Sequence, residues 1–495
     1  MAHQRIAGAV RRGRSMATWI TRVFVPSLLI AAGGALHAQD APASRIRPSA
    51  AYPFYWQYRG EPVLLLAGSC DDNLFQIPNL EEHLDAIRRV GGNYIRNTMS
   101  DRPNKGFEVY PFRKLDNGKY DLRQWNDEYW RRFERLLKLT HARDIIVQIE
   151  VWDRFDYSDR GSYRYWALHP YNPKNNANYT AAESGLKRTY RKHPGANEQR
   201  FFFTVPELEN NRVVLPYQQA QVDKMLSYAL QYPNVLYCMD NETSGSPKWG
   251  AYWSRTIRDR AAKAGVEVQT TEMWDDWNLD APRHRATFDH PELYAFVDIS
   301  QNNHQKGQAH WENAQRQRAR IVDRPRPLNN VKIYGADGGR FGNTRDGLER
   351  FWRNVIGGAA SSRFHRPPAG QGLGKRAEAH IRSMRMLTAD LDIFRATADA
   401  GSRLLGQREP NEAYLTRIDG QQYAVYFPDG GSVELDLTDV TGTFRQRWLN
   451  IEQSQWGDPA KVEAGAKVPL APPGRGHWAV LIDTPRPEGP TRKDP

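Results

Sequence analysis

A chain of 495 residues is longer than one hydrophobic core supports, so more than one domain is expected. Its formal net charge is +12, and Arg5, Arg11, Arg12, Arg14 and Arg22 contribute five of it ahead of the first acid. The remaining basic residues are scattered, with no basic stripe or recognition motif, so nucleic acid is not expected as a partner. Cys70 and Cys238 are the only cysteines, and no Cys-x-x-Cys or His-Glu-x-x-His occurs, so neither a metal nor any other cofactor is expected. Both cysteines fall in or at the end of strand-like runs, which favours free buried thiols over a disulfide.

Residues 1–38 are expected to be a signal peptide. Basic residues up to Arg22 precede an apolar run that ends near Ala38, too short and too rich in small residues to span a bilayer. Met16 offers an alternative start. No other run is long and apolar enough to cross a membrane, so export to the periplasm or beyond is expected, with no membrane partner after cleavage.

From residue 39 to about 400 apolar strands alternate with amphipathic helices. Strands are predicted at 62–70, 94–98, 145–152, 234–242, 266–274, 295–300, 331–334 and 359–364. Helices are predicted at 79–90, 126–141, 217–231, 249–264, 308–321, 346–356 and 375–394, with at most a short helical stretch after the fifth strand. Eight strand–helix units predict a (β/α)8 TIM barrel. A doubly wound open sheet is the alternative, but Gly68-Ser-Cys-Asp-Asp72 stands where such folds carry a Gly-rich phosphate turn. A long insertion between Trp152 and Tyr217 is crowded with Tyr157, Tyr163, Tyr165, Trp166, Tyr171 and Tyr179. It is either a functional loop or a self-packed excursion. From 401 to 485 the hydrophobic period becomes two, with short runs such as Tyr423–Phe427 and His477–Ile482 separated by Asp-Gly, Gly-Gly and Pro-Gly turns. That pattern predicts a small antiparallel β-sandwich. Residues 486–495 read as a disordered tail.

In a barrel the carboxyl ends of the strands converge on one site. Those ends supply Asp71, Asp72, Arg96, Asn97, Glu150, Asp153, Asn241, Glu242, Glu272, Trp274, Asp275, His304, Asp337, Arg363 and His365. Carboxylates, amides and indoles at one mouth suit a poly- or oligosaccharide: aromatic faces stack on sugar rings and paired carboxylates carry out glycosidic chemistry. Fifteen Trp and 23 Tyr fit either such a surface or a large core.

The Asn241-Glu242 pair at the end of strand four resembles the Asn-Glu of the large clan of barrel glycoside hydrolases. The resemblance implies that Glu242 is the acid/base and that Asn241 holds the sugar 2-hydroxyl. Tyr423–Leu437, Trp448 and Pro472-Pro-Gly-Arg-Gly-His-Trp478 narrow it to the apiosidase-like family, whose C-terminal sandwich carries a collagen-binding label. No feature of this sequence argues for collagen itself. The family also implies a nucleophilic Glu on strand seven, which this chain lacks; Asp337 is the nearest acid and is taken as the partner of Glu242, with Glu272 on strand five and Glu150 or Asp153 on strand three as substitutes. Asp71, Asp72, Arg96, Asn241, Asp153, Glu272, Trp274, His304 and His365 are expected to bind substrate. The expected activity is a glycosidase acting on a plant or algal polysaccharide. A non-catalytic carbohydrate-binding or matrix-adhesion protein on the same scaffold is the alternative.

Overall fold

Eight short parallel strands follow one another with helices between them: β1 (Leu65–Gly68), β2 (Tyr94–Thr98), β3 (Ile146–Asp153), β4 (Val235–Asn241), β5 (Gln269–Thr271), β6 (Val297–Asp298), β7 (Leu328–Ile333) and β8 (Ser361–Phe364). The computed structural model describes residues 44–99, 103, 105–160 and 164–484. The expected signal peptide and tail lie outside them. The strands are buried along their whole length, as parallel strands covered on both faces must be. They form two four-stranded sheets, ordered β5-β4-β3-β2 and β6-β7-β8-β1.

The two sheets meet at seams that carry few hydrogen bonds. At the first, Asn93 N donates to the Leu66 carbonyl at 2.9 Å and the Asn93 side chain adds to this bond: Oδ1 accepts from Leu66 N at 2.9 Å and Nδ2 donates to the Leu64 carbonyl at 3.1 Å. Thr98 N also donates to the Asp72 carbonyl at 2.8 Å. At the second, Ala295 N donates to the Thr270 carbonyl at 3.0 Å and Thr271 Oγ1 to the Phe296 carbonyl at 2.7 Å.

The covering helices are α1 (Leu80–Arg89), α2 (Asp127–His141), α3 (Leu215–Ala229), α4 (Pro247–Lys263), α5 (Pro282–Phe288), α6 (Gly307–Arg320), α7 (Thr344–Ile356) and α8 (Lys375–Asp390). Side-chain caps set several starts: Asn126 accepts from Glu128 N, Ser246 from Lys248 N, and Asn343 forms a reciprocal box with Asp346. Asn79 precedes α1 but makes no capping bond. Boundaries move from the expected ones where buried polar groups find partners. β7 begins at Leu328, earlier than its apolar residues indicate, because Asn329 Oδ1 accepts from the buried Trp56 indole at 2.9 Å. An antiparallel hairpin, Phe112–Lys114 with Tyr120–Trp125, was not apparent from periodicity.

The aromatic insertion after β3 is self-packed. Trp166, Tyr171, Tyr190, Phe201 and Phe202 are buried, and the Tyr157 and Phe201 rings stack at 4.1 Å. Asn172 and Asn176 pin the turns by side-chain bonds to the carbonyls of Trp166, Arg188 and Pro170. Tyr163 lies outside the described residues. Cys70 and Cys238 are free; Cys238 is buried as expected, but Cys70 lies past the end of β1 and is exposed.

The C-terminal part is β-rich. Its larger sheet contains β9 (Thr397–Ala398), β11 (Tyr414–Ile418), β12 (Gln422–Phe427), β14 (Thr443–Asn450) and β18 (Trp478–Asp483), and β10 (Leu405–Gly406), β13 (Val433–Asp436) and β17 (Lys467–Leu470) form a smaller one. Period-two alternation divides the large sheet. Leu415, Val425, Phe427, Val480 and Ile482 share a core with Leu405, Val433, Leu435 and Leu470 of the small sheet. Tyr414, Ala424, Tyr426, Leu449 and Leu481 join the main core instead. There Tyr426 stacks on Trp352 of α7 at 5.2 Å, and Tyr414 packs on Trp311 of α6 at 4.8 Å.

Candidate active site

The site is built on the end of β4. Asn241 closes the strand, and Glu242 turns out of it with φ of 52°, left-handed backbone that a non-glycine residue adopts at a cost. Asn241 points into the space enclosed by the strands: its Nδ2 donates to Asp153 Oδ2 on β3 at 2.9 Å, and its Oδ1 accepts from Lys332 Nζ on β7 at 2.5 Å. The same ammonium lies 2.9 Å from Glu242 Oε1, which also accepts from Gln301 Nε2 and the Tyr334 hydroxyl, each at 3.2 Å. Lys332 is buried and Glu242 keeps partial exposure. Burial pushes the Glu242 carboxyl up, but the Lys332 ammonium, with Arg96 and the Tyr334 hydroxyl, outweighs it and holds the group below the usual carboxylate range. Glu242 is therefore ionised at neutral pH.

A second ionic group lies beneath this one. Arg96 on β2 is fully buried and bridges Asp72 Oδ1 and Glu150 Oε1, both at 2.5 Å. Asp72 Oδ2 accepts from Arg366 Nε at 2.6 Å. Burial raises the Glu150 carboxyl despite the pull of Arg96 and Lys332. His365 is buried with Nδ1 at 3.8 Å from Asp72 Oδ1, and its ring packs on Tyr334 at 4.6 Å. Burial holds the imidazole neutral, its pKa well below the ordinary value. Asp71 sits at the rim in an ion pair with the half-exposed Lys105.

One further carboxyl belongs to the mouth. Asp275 follows β5, and its backbone N donates to the Thr243 carbonyl at 2.7 Å, which ties it to the residue after Glu242. Burial and the neighbouring Glu242 carboxylate raise its pKa to about 6, against the opposing pull of Lys332 and Arg283. Glu242 and Asp275 are thus driven apart in acidity, the pattern that separates a proton donor from an anionic partner.

The other expected site residues are placed elsewhere. Glu272 faces the helix layer, its Oε1 accepting from Asp240 N at 3.0 Å and Met273 N at 2.9 Å. Its Oε2 lies so close to Gly250 of α4 that a Cβ there would stand 2.2 Å away. Asp240 shares this layer; burial raises both carboxyls, Asp240 to about 7 against the pull of Arg154 and of a hydrogen bond with Glu272, and the Asp240 carboxylate raises Glu272 further. Trp274 is buried, its indole donating to Thr287 Oγ1 at 2.8 Å. Asp337 is exposed and accepts from Thr344 N at 3.0 Å, so it serves the start of α7. His304 is an exposed rim residue whose ring meets Phe341 at 4.7 Å.

The sequence reading missed Lys332, Tyr334 and Gln301. A lysine inside a strand flanked by Val331 and Ile333 was the available signal, since lysine is almost never fully buried without a partner. For a metal, the described residues offer His380, Glu452 and His477, whose donor atoms lie within 4.8 Å of one another. The buried Trp352 indole N–H donates to His380 Nδ1 at 3.0 Å, so the neutral ring carries its proton on Nε2, 3.2 Å from Glu452 Oε1. A cation there would meet an N–H and not a lone pair, and the group instead ties α8 to the β-rich part.

No family model and no curated protein matches the sequence. The structure is similar to a glycoside hydrolase family 5 protein from Bacteroides vulgatus, with TM-score 0.59 and 11% identity over 89% of this chain and 93% of that one. A second glycoside hydrolase gives 0.56 and 11% over 89% and 97%. An alpha-amylase from Geobacillus thermoleovorans, complexed with acarbose, gives 0.51 and 11% over 84% and 98%. These likenesses establish the fold: the chain has the α/β architecture of (β/α)8 glycoside hydrolases followed by a β-rich C-terminal part.

Proposed function

We propose that this chain is an exported glycoside hydrolase, its eight parallel strands a (β/α)8 barrel and its C-terminal part a companion sandwich. One observation carries the reading: at the end of β4 an ionised Glu242 beside Asn241 lies next to a second carboxyl, Asp275, whose pKa is raised to about 6. In this reading Asp275 donates its proton to the glycosidic oxygen as the C–O bond breaks. Glu242, kept anionic by Lys332, takes the proton of the attacking water or attacks the anomeric carbon itself. Asn241, fixed between Asp153 and Lys332, presents its amide to a sugar hydroxyl. The substrate class is a plant or algal polysaccharide or its side chain. The narrower apiosidase-like assignment, and the collagen-binding label of the sandwich, rest on the sequence stretches alone. Export rests on the composition of residues 1–38.

Lys332 stands on the strand where such enzymes carry their second Glu, and this favours the alternative of a non-catalytic carbohydrate binder. Hydrolysis of a glycan panel decides. Glu242→Gln is expected to lower turnover about 10³-fold, and Asp275→Asn about 10²-fold on natural glycans but much less on aryl glycosides with good leaving groups, general acid–base groups supplying about 10²–10⁴. Wild-type turnover in Glu242→Gln overturns the catalytic reading. The anomer released first, followed by NMR, separates the two roles of Glu242: carboxyl groups about 5–5.5 Å apart retain configuration and about 6.5–9.5 Å apart invert it.

A further inference from the structure

Most cations of the mouth are spent on its carboxylates by direct contact. Asp71 is paired with Lys105, Asp72 with Arg96 and Arg366, Glu150 with Arg96, and Glu242 with Lys332. Arg340 remains. Its guanidinium lies 5.2 Å over the Phe341 ring, and no ion pair or hydrogen bond of its own is formed among the described residues. Phe341 in turn packs on Tyr334 at 4.6 Å, the residue whose hydroxyl reaches Glu242, and on His304 at 4.7 Å. Arg340 is therefore two aromatic rings removed from the Glu242 carboxylate, at the exposed edge of the same wall.

Its neighbours do nothing to neutralise it. Burial lowers the pKa values of His193 and His304, and the field of Arg340 adds to this against the opposing pull of the Glu242 carboxylate, so both rings are neutral at neutral pH. Arg160 acts on His193 in the same direction. A rim that keeps an unpaired guanidinium within reach of two neutral imidazoles attracts an anion and offers it hydrogen-bond donors.

We propose that Arg340 grips a negatively charged substituent, a carboxylate or a sulfate, on a sugar unit next to the scissile bond, so that the substrate is an acidic glycan. This rests on the glycosidase reading of the site but is tested by binding, so the two can fail separately. The full chain with Asp275→Asn, which leaves the Lys332–Glu242 pair intact, is titrated calorimetrically with three probes: an oligogalacturonate, the same oligosaccharide after carboxyl reduction, and a sulfated galactan oligosaccharide. An acidic probe is expected to bind about tenfold tighter than the reduced one, the scale of one charge-assisted hydrogen bond. Which acidic probe does so identifies the anion. Adding Arg340→Gln is expected to collapse the ratio to about two, and adding Arg340→Lys to restore part of it. Arg113→Gln, on the distant hairpin, leaves it unchanged. Equal binding of all three probes, or a ratio that survives Arg340→Gln, overturns the proposal, whether or not the wild-type protein hydrolyses anything.

Discussion

Two carboxyl groups at the end of β4, two residues apart, stand under opposite regimes, Asp240 inside the strand and Glu242 where the chain turns out of it. On the inner side Glu242 meets the Lys332 ammonium at 2.9 Å and is held ionised. On the outer side Asp240 lies against Glu272 in the layer below α4, where burial raises its pKa to about 7 and the nearest cation, Arg154, spends its hydrogen bonds on Pro194, Asn197 and Gln199. Burial is common to both sites, so the placement of one cation decides which carboxyl is charged at neutral pH. The inner side keeps a charge and the outer side a proton.

Removing the cation is the most direct way to break this contrast. Lys332→Met removes the largest opponent of burial at Glu242 and leaves only Arg96 and the Tyr334 hydroxyl against it, so its carboxyl rises toward the behaviour of Asp240. Since the reaction needs Glu242 ionised, the acid limb of the kcat/KM profile is expected to move to higher pH, with activity at pH 6 falling about 10²-fold or more. Part of the loss is recovered on raising the pH, until Asp275 gives up its proton. A pH–rate profile with an unchanged acid limb shows that Lys332 does not set the charge of Glu242.

The outer pair sharpens the contrast through stability. The native state holds the Asp240 proton more tightly than the unfolded chain, whose carboxyl has the ordinary value of 3.8. The stabilisation is therefore fully present below about pH 4 and is lost as pH rises through about 7. One pKa unit is about 1.4 kcal/mol, so the window amounts to a few kcal/mol. Asp240→Asn, neutral at every pH, is expected to flatten the dependence between pH 5 and 8 and to be more stable than the wild type at pH 8. Urea unfolding at both pH values checks this; equal slopes in the two proteins count against a shared proton.

The repeat of strands and helices was legible because Val, Ile and Leu runs alternate with caps and glycine stops, and the eight strands fall where the pattern put them, with shifted ends. The mouth was legible only as a set of strand ends. Asn241, Glu242, Asp153, Arg96 and Asp72 do come together. Glu272 and Asp337 looked equally eligible, yet one turns to the helix layer and the other holds the start of α7. Which face a residue takes after its strand ends depends on loop geometry, and period-two reasoning stops at that point. Lys332 was hidden for a different reason: its role is defined by partners on β4, 91 residues away in the chain.

The loop leaving β5 joins the two regions, and its aromatics give the smallest expected effect. Trp274 is buried on the outer side, bonded to Thr287, while Trp277, two residues beyond Asp275, is 59% exposed. The loop is not loose: the Asp276 carbonyl contacts His284 Nε2 at 2.9 Å, Asn278 N donates to Asp276 Oδ1 at 3.0 Å, and Asp280 accepts from Gln317 at 2.8 Å. A fixed loop that leaves an indole in water keeps a flat apolar face ready for a sugar ring, at no ordering cost when the sugar arrives. Trp277→Ala is expected to raise KM about 5–10-fold for oligosaccharides and to leave kcat and the KM of a monosaccharide aryl glycoside unchanged, matching a stacking contribution of about 0.5–1.5 kcal/mol. Trp277→Phe should recover most of the difference. If instead kcat falls equally for both substrates, the indole acts by holding Asp275 in place, and the loop belongs to the proton-donating machinery and not to a separate sugar subsite.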